Sequence, residues 1–200
     1  SISPFTCFSF QAIKHVTTGD GGAIACQKIK DANRAKQLRW FGIDRKNAQP
    51  SLLGERQYML KEVGYKYHMN DYASALGIAN LSSLDQRLKR RRQIAQKYIK
   101  HFQNISGIKL FSYDPDRESS WWLFGMHVER RNDFIRALKS RNVPCSVVHQ
   151  RIDKHPIFGG IQKDLIAQTK FDSTQIHLPV YESLTDEQIT YIITSIKKGW

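Results

Sequence analysis

The chain has 200 residues, 40% of them hydrophobic, and its 31 Lys and Arg against 18 Asp and Glu give a formal charge of +13. That apolar share is enough for a core, which excludes a disordered chain, and no run approaches the roughly 20 apolar residues that span a bilayer as a helix. The positive charge brings an anionic partner into question, whether nucleic acid, phosphorylated metabolite or acidic membrane surface, without choosing among them.

Cys7, Cys26 and Cys145 are odd in number and far apart. They suggest neither a disulfide framework nor a structural zinc site, and a reducing cytoplasm is expected. The first residues show no basic region followed by an apolar run, so no export signal is expected. Phe5 to Phe10 reads as a buried strand dense in aromatics, and because a domain seldom starts inside its own sheet, further sequence upstream of Ser1 is expected.

A second short strand, Gly22 to Cys26, follows TTGDGG, whose glycines supply the positive φ of a tight turn. Lys28 to about Trp40 favours helix. Residues 41–67, with Gly42, Pro50, Gly54 and Gly64, read as loop with one brief strand, and such long loops usually serve binding. Asp71 is a candidate cap for a long helix to about Phe102, along which Leu76, Ile78, Leu81, Leu84, Leu88, Ile94, Tyr98 and Phe102 recur at helical spacing. The run Lys89-Arg90-Arg91-Arg92 reads as a solvated face of that helix, and aromatics are not interleaved with it as a single-strand nucleic-acid platform needs.

After Gly107 the pattern shifts to strands at 108–111 and 121–128, a helix from Asp133 to about Ser140, and a strand from Cys145 to His149. Thr185 and Gln188 form a capping box ahead of a helix whose Ile189, Ile192, Ile193 and Ile196 face a sheet. The expected class is α/β or mixed α+β in two unequal parts, residues 1–84 and 85–200.

The segment Ser9-Phe10-Gln11-Ala12-Ile13-Lys14-His15-Val16-Thr17-Thr18-Gly19-Asp20-Gly21-Gly22 carries most of the chemistry. A lysine that forms a Schiff base must be partly neutral near neutral pH, and burial beside Phe8, Phe10, Ile13 and Val16 would push it that way. A nearby hydroxyl, Ser9, and amides around glycines suit a phosphate. The segment resembles the lysine motif S-F-x-x-x-K-x-x-T-T-G-[DE]-G-G of the DegT/DnrJ/EryC1/StrS aminotransferases. Gly64-Tyr65-Lys66-Tyr67-His68-Met69-Asn70-Asp71 resembles that family's G-Y-N-Y-R-M-x-D block. Trp121-Trp122-Leu123-Phe124, Val148-His149 and Leu184-Thr185-Asp186-Glu187 resemble its W-x-L-F, V-H and L-T-D-E.

The resemblance implies the C-terminal part of a fold-type I transferase, a remnant of the large domain plus a small α+β domain. It implies pyridoxal phosphate as cofactor, Lys14 as Schiff-base lysine and Ser9 as phosphate contact. It further implies a homodimer in which Lys66, standing where the family has asparagine, reaches the cofactor phosphate of the other subunit. His68 stands where the family often has arginine and receives no role. The implied reaction is amination of a nucleotide-linked keto sugar for surface polysaccharide, with glutamate as donor; lysine rather than histidine at position 14 favours amination over dehydration. His149 and His155 fall near the sugar-nucleotide region, and Arg39, Arg45 and Arg151 are candidates for the diphosphate. The upstream carboxylate that pairs with the cofactor ring in the family is absent here, so the chain alone is expected to be a poor transaminase. Two other readings stay open: a noncatalytic pairing module, and a basic nucleic-acid binder.

Overall fold

The computed structural model describes residues 3–200. These separate into two compact units, one ending at Leu84 and one spanning 85–200.

In the first unit β1 (Phe5–Ser9) and β2 (Gly22–Cys26) form an antiparallel hairpin in continuous register from Phe5 opposite Cys26 to Ser9 opposite Gly22. A Cβ on Gly22 would stand 2.6 Å from the Phe8 carbonyl oxygen, so only glycine lets the strands close there. The strand at the start of the chain is present, but all of its residues are exposed, which corrects the expected burial. A two-stranded ribbon has no layer of its own to cover its faces. Phe5, Phe8 and Ile24 are 45%, 50% and 49% exposed, and Ala48 is the one buried apolar side chain among the described residues up to 84.

Helix α1 (Ile29–Leu38) ends where Phe41 and Gly42 take positive φ, 57° and 77°. The long loop holds one pair of two-residue strands, β3 (Gln49–Pro50) and β4 (Arg56–Gln57), rather than a single strand. The long helix is two helices: α2 (Asp71–Leu81) and α3 (Leu84–Phe102). Asn70, not Asp71, caps α2, its Oδ1 accepting from Ala73 N–H at 2.9 Å. The break falls at Ser82, whose hydroxyl donates to the Ala79 carbonyl at 2.8 Å and competes with the helical ladder.

The second unit has the core. Its antiparallel sheet runs β5 (Ile108–Leu110), β6 (Phe124–Val128) and β7 (Gln175–Leu178), with β6 central. Phe124, Met126 and Val128, alternate residues of β6, are buried with Ile176 and Leu178 of β7. They share one cluster with Ile94, Tyr98 and Phe102 of α3, Phe134 and Leu138 of α4 (Arg131–Ser140), and Ile189, Ile192, Ile193 and Ile196 of α6 (Asp186–Lys197). Both halves of the capping box form: Thr185 Oγ1 accepts from Gln188 N–H at 3.2 Å, and Gln188 Oε1 accepts from Thr185 N–H at 3.0 Å. The segment from Cys145 to His149 is not a strand but a single bridge between Ser146 and His177. Between it and β7 lie two 3-10 turns, 152–154 and 156–158, and α5 (Ile166–Thr174). No helix among the described residues is long and apolar enough to cross a membrane.

Candidate active site

The turn from Ser9 to Gly22 is closed by its own backbone. Phe10 N–H donates to the Gly21 carbonyl at 2.9 Å and Thr18 N–H to the Phe10 carbonyl at 2.9 Å, which pinches residues 11–17 into a loop. Inside it Lys14 N–H donates to the Gln11 carbonyl at 2.9 Å and Thr17 Oγ1 to the Phe10 carbonyl at 3.2 Å. Thr18 is buried and donates its hydroxyl to the Asp20 carbonyl at 2.8 Å. Lys14 is thus held by a rigid turn, half-buried. The apolar shelter expected around it is thin within this chain: Phe10 and Val16 are half-buried, but Phe8 and Ile13 are exposed.

The block that begins at Gly64 meets this turn. A Cβ on Gly77 would lie 2.9 Å from Thr18 Cγ2, and one on Gly21 would lie 2.8 Å from Thr18 Oγ1 and 3.4 Å from Met69 Cε. Gly21 in the turn and Gly77 in the middle of α2 therefore allow that helix and Met69 just before it to pack on the lysine turn.

The donor set fits one end of pyridoxal phosphate. Lys14 offers a primary amine for the aldehyde. Ser9, exposed at the end of β1, accepts a long contact from Gln11 N–H at 3.5 Å, and its own proton has no acceptor among the described residues, so it is available to a phosphate oxygen.

Lys66 is exposed and belongs to a backbone bridge with Trp40, flanked by Phe41 N–H to the Tyr65 carbonyl at 3.0 Å and Tyr67 N–H to the Arg39 carbonyl at 2.8 Å. That bridge brings His68 edge-on to Trp40 at 4.0 Å between ring centroids. Arg45 lies over the indole at 4.0 Å. Neither Trp40 nor this grouping is visible from residue types alone, because it depends on which segments pair.

In the second unit His149, Arg151 and His155 occupy one loop and behave differently. His149 and His155 are exposed. Arg151 is not offered to a ligand: it is 5% exposed, and each of its guanidinium nitrogens donates within the protein. Nε and Nη2 contact the two Asp153 oxygens at 2.5 Å, Nη1 donates to Thr169 Oγ1 at 2.6 Å, and Nη2 also donates to the Gln162 carbonyl at 3.2 Å. This corrects the expectation of a diphosphate contact, since a guanidinium so engaged has no face for an external anion. The Arg151 fork and the Gln162 N–H hold the Asp153 carboxyl down, to about 2. Lys154 Nζ does the same for Asp172 from 2.8 Å, lowering it. His177, beside this loop, is pulled down by burial against a smaller opposing effect of the Ser146 carbonyl.

The model of the DegT/DnrJ/EryC1/StrS aminotransferase family matches residues 1–197. A UDP-4-amino-4,6-dideoxy-N-acetyl-beta-L-altrosamine transaminase of Campylobacter jejuni serotype O:2 is 37% identical over 96% of this chain and 53% of its own length. The structure of AtS13 from Actinomadura melliaura is similar over 100% of this chain and 52% of that one, at 32% identity and a TM-score of 0.90. Spr1654 of Streptococcus pneumoniae in its PLP-form is 27% identical over 99% of this chain and 52% of that one, with a TM-score of 0.83. The chain spans about half the length of the curated relatives it matches. Its fold is a partial α/β fold of pyridoxal-phosphate-dependent sugar aminotransferases, and the cofactor of the family is pyridoxal phosphate. The chain belongs to the DegT/DnrJ/EryC1/StrS aminotransferase family.

Proposed function

We propose that this chain carries the lysine-bearing part of a transferase that aminates a keto sugar attached to a nucleotide, with glutamate as amino donor, as a homodimer in the cytoplasm. The observation that carries the reading is the closed turn holding Lys14 half-buried, with a Ser9 hydroxyl at its base that accepts a long contact from Gln11 N–H and keeps its own proton to donate. The family membership and the sugar-nucleotide name of the Campylobacter relative support the substrate class.

Bound pyridoxal phosphate supplies an aldehyde and an electron-accepting ring. Lys14 Nζ would hold the group through its aldehyde carbon, and Ser9 Oγ would donate to its phosphate. Once freed by the amino donor, the Lys14 amine would be the base that takes the proton from the donor's α-carbon, so one nitrogen would serve as tether and then as acid/base. The sugar-nucleotide contacts proposed for the second unit are His149 and His155, both exposed, while Arg151 positions the loop that carries them. Lys66 is proposed to reach the cofactor phosphate of the other subunit.

The test is selective labelling. The chain is incubated with pyridoxal phosphate, reduced with borohydride and digested, and mass spectrometry locates the pyridoxyl group. Modification concentrated on Lys14 and lost in Lys14→Ala supports the reading; labels spread evenly over surface lysines refute it. The noncatalytic pairing module is favoured by one feature, the apolar residues Phe8, Ile24, Leu76, Ile78 and Leu81 exposed in the first unit. A dimer without Lys14-selective label would decide for it.

A further inference from the structure

A cavity of about 440 Å³ lies in the second unit, lined by β5, β6 and α5 and the residues beside them. His127 stands in it because it alternates on β6 with the buried Met126 and Val128, so its ring points to the other face of the sheet. There it is fixed by rings: Phe111 and Phe171 meet it edge-on, at 4.8 and 5.1 Å between centroids. Phe111 in turn lies directly on the strand, since a Cβ on Gly125 would stand 2.5 Å from its Cε2. Two cations share the cavity, Lys109 from β5 and Lys170 from α5, with Glu129 as the one carboxylate. The ion-paired lysines among the described residues are Lys97 and Lys154, so both of these ammoniums are uncommitted. A lysine on an edge strand commonly deters pairing with another chain, which accounts for Lys109. Lys170 comes from a helix, and that reason does not extend to it.

The placement of one proton decides what His127 offers. Thr174 Oγ1 gives its own proton to the Lys170 carbonyl at 2.8 Å, so it can only accept from the ring, and His127 Nδ1 donates to it across 2.8 Å. Nε2 therefore carries the lone pair. Burial, with Lys109 and Lys170 nearby, holds the imidazole below its usual value and keeps that lone pair free of a proton. Nε2 has no partner among the described residues and is not enclosed, so a hydroxyl from outside the chain can reach it. The cavity thus combines two ammoniums for an anion, a ring nitrogen for a hydroxyl, and an apolar wall of Ile108, Ala167 and the 38% exposed Phe171. We infer that it binds a hydroxy-carboxylate with one flat carbon face, the chemistry shared by sugar acids and phenolic acids. The carboxylate lies between Lys109 and Lys170, the hydroxyl donates to His127 Nε2, and the carbon face packs on Phe171. The site draws on neither Lys14 nor the transferase reading.

The test is an NMR titration of the full 200-residue chain, labelled with heavy nitrogen. Glucuronate and para-hydroxybenzoate are added separately, with glucose, which lacks the carboxylate, benzoate, which lacks the hydroxyl, and inorganic phosphate as controls. At least one of the two hydroxy acids is expected to shift the amides of residues 107–109, 127–129 and 167–174 saturably, and to bind about tenfold or more tightly than any control. Lys109→Met and Lys170→Met, at exposed positions, are each expected to weaken that binding about tenfold while leaving the melting temperature unchanged. His127→Phe keeps a ring between Phe111 and Phe171 and should remove the preference over the control that lacks the hydroxyl. If that variant unfolds, the ring-nitrogen shifts of the parent chain replace it: they should show the proton on Nδ1, and a proton on Nε2 in the free chain overturns the inference. Whichever hydroxy acid binds more tightly identifies the source of the chemistry. No saturable binding of either acid, equal binding of benzoate or phosphate, or binding unchanged in both lysine variants also overturns it.

Discussion

Arg151 and Asp153, two residues apart in sequence, meet in a two-pronged ion pair, Nε on Oδ1 and Nη2 on Oδ2, each at 2.5 Å and both buried. The carboxylate also accepts Gln162 N–H at 2.9 Å, so the pair ties together residues 151–162. The proton equilibrium of Asp153 is consequently linked to folding. Its folded value lies at about 2, below the roughly 3.9 of an unfolded Asp. A depressed carboxyl contributes stability that is fully present above the unfolded value and is lost as pH falls toward the folded one. Denaturant melts between about pH 4 and pH 2 should show stability falling with acid, and Asp153→Asn should flatten that fall while lowering stability at neutral pH. Asp172, lowered in the same sense by Lys154, adds to the slope.

A second prediction separates a strut from a ligand contact. Arg151→Ala should lower the melting temperature, because it leaves the Asp153 carboxylate buried without its partner. Arg151→Lys should rescue little, since a point charge cannot repeat the fork. His149→Ala and His155→Ala, at exposed positions, should leave the melting temperature unchanged within error. Arg151→Ala melting like the parent chain would mean that the guanidinium is not a structural tie.

What the sequence disclosed, and what it hid, divides by the range of the interactions. The hairpin from Phe5 to Cys26, the capping box of Thr185 and Gln188, and the isoleucine face of α6 follow from near neighbours, and all are present. The break between α2 and α3 was hidden because apolar spacing runs on through Leu81, Leu84 and Leu88, and the serine that competes with the ladder is an ordinary helix residue. β7 and α5 gave little pattern, since β7 is four residues long and its pairing with β6 comes from far along the chain. The exposure of β1 does not follow from its composition, because composition reports what a strand suits, whereas burial depends on what covers it. At the site Lys14 and Ser9 stood out as a contiguous motif. The grouping of Trp40 with Arg45 and His68 does not, because these residues meet through the bridge at Lys66.

The core yields a third prediction with magnitudes. Phe124 is fully buried, its ring 5.0 Å from that of Tyr98 and 5.6 Å from that of Trp121. Phe124→Ala should cost about 3–5 kcal/mol, enough to unfold much of the second unit. Tyr98 donates its hydroxyl to the Pro179 carbonyl at 3.0 Å, and burial raises its titration so that the donor persists across the working range. Tyr98→Phe should cost only about 1 kcal/mol, the net value of one such hydrogen bond. Thr185→Ala should cost a comparable amount, about 1 kcal/mol, through the lost cap. Urea melts of the three variants would reveal this order, and a Tyr98→Phe loss as large as that of Phe124→Ala would contradict it.

Gly77 offers a test of how the lysine turn is supported. It lies in the middle of α2, where alanine would add about 1 kcal/mol of helix propensity. On propensity alone Gly77→Ala should stabilise. Its Cβ, however, would stand 2.9 Å from Cγ2 of Thr18, a buried residue whose N–H closes the loop around Lys14. Overpacking of a closed contact typically costs about 1–3 kcal/mol, which outweighs the gain. The expected result is a destabilised chain in which Lys14 loses its selectivity for pyridoxal phosphate in the borohydride experiment, although Lys14 itself is untouched. Thr18→Ser removes the opposing methyl group and should restore both stability and labelling in the double variant, so the two changes together cost less than the sum of each alone. If Gly77→Ala alone is more stable and labels normally, α2 does not brace the turn.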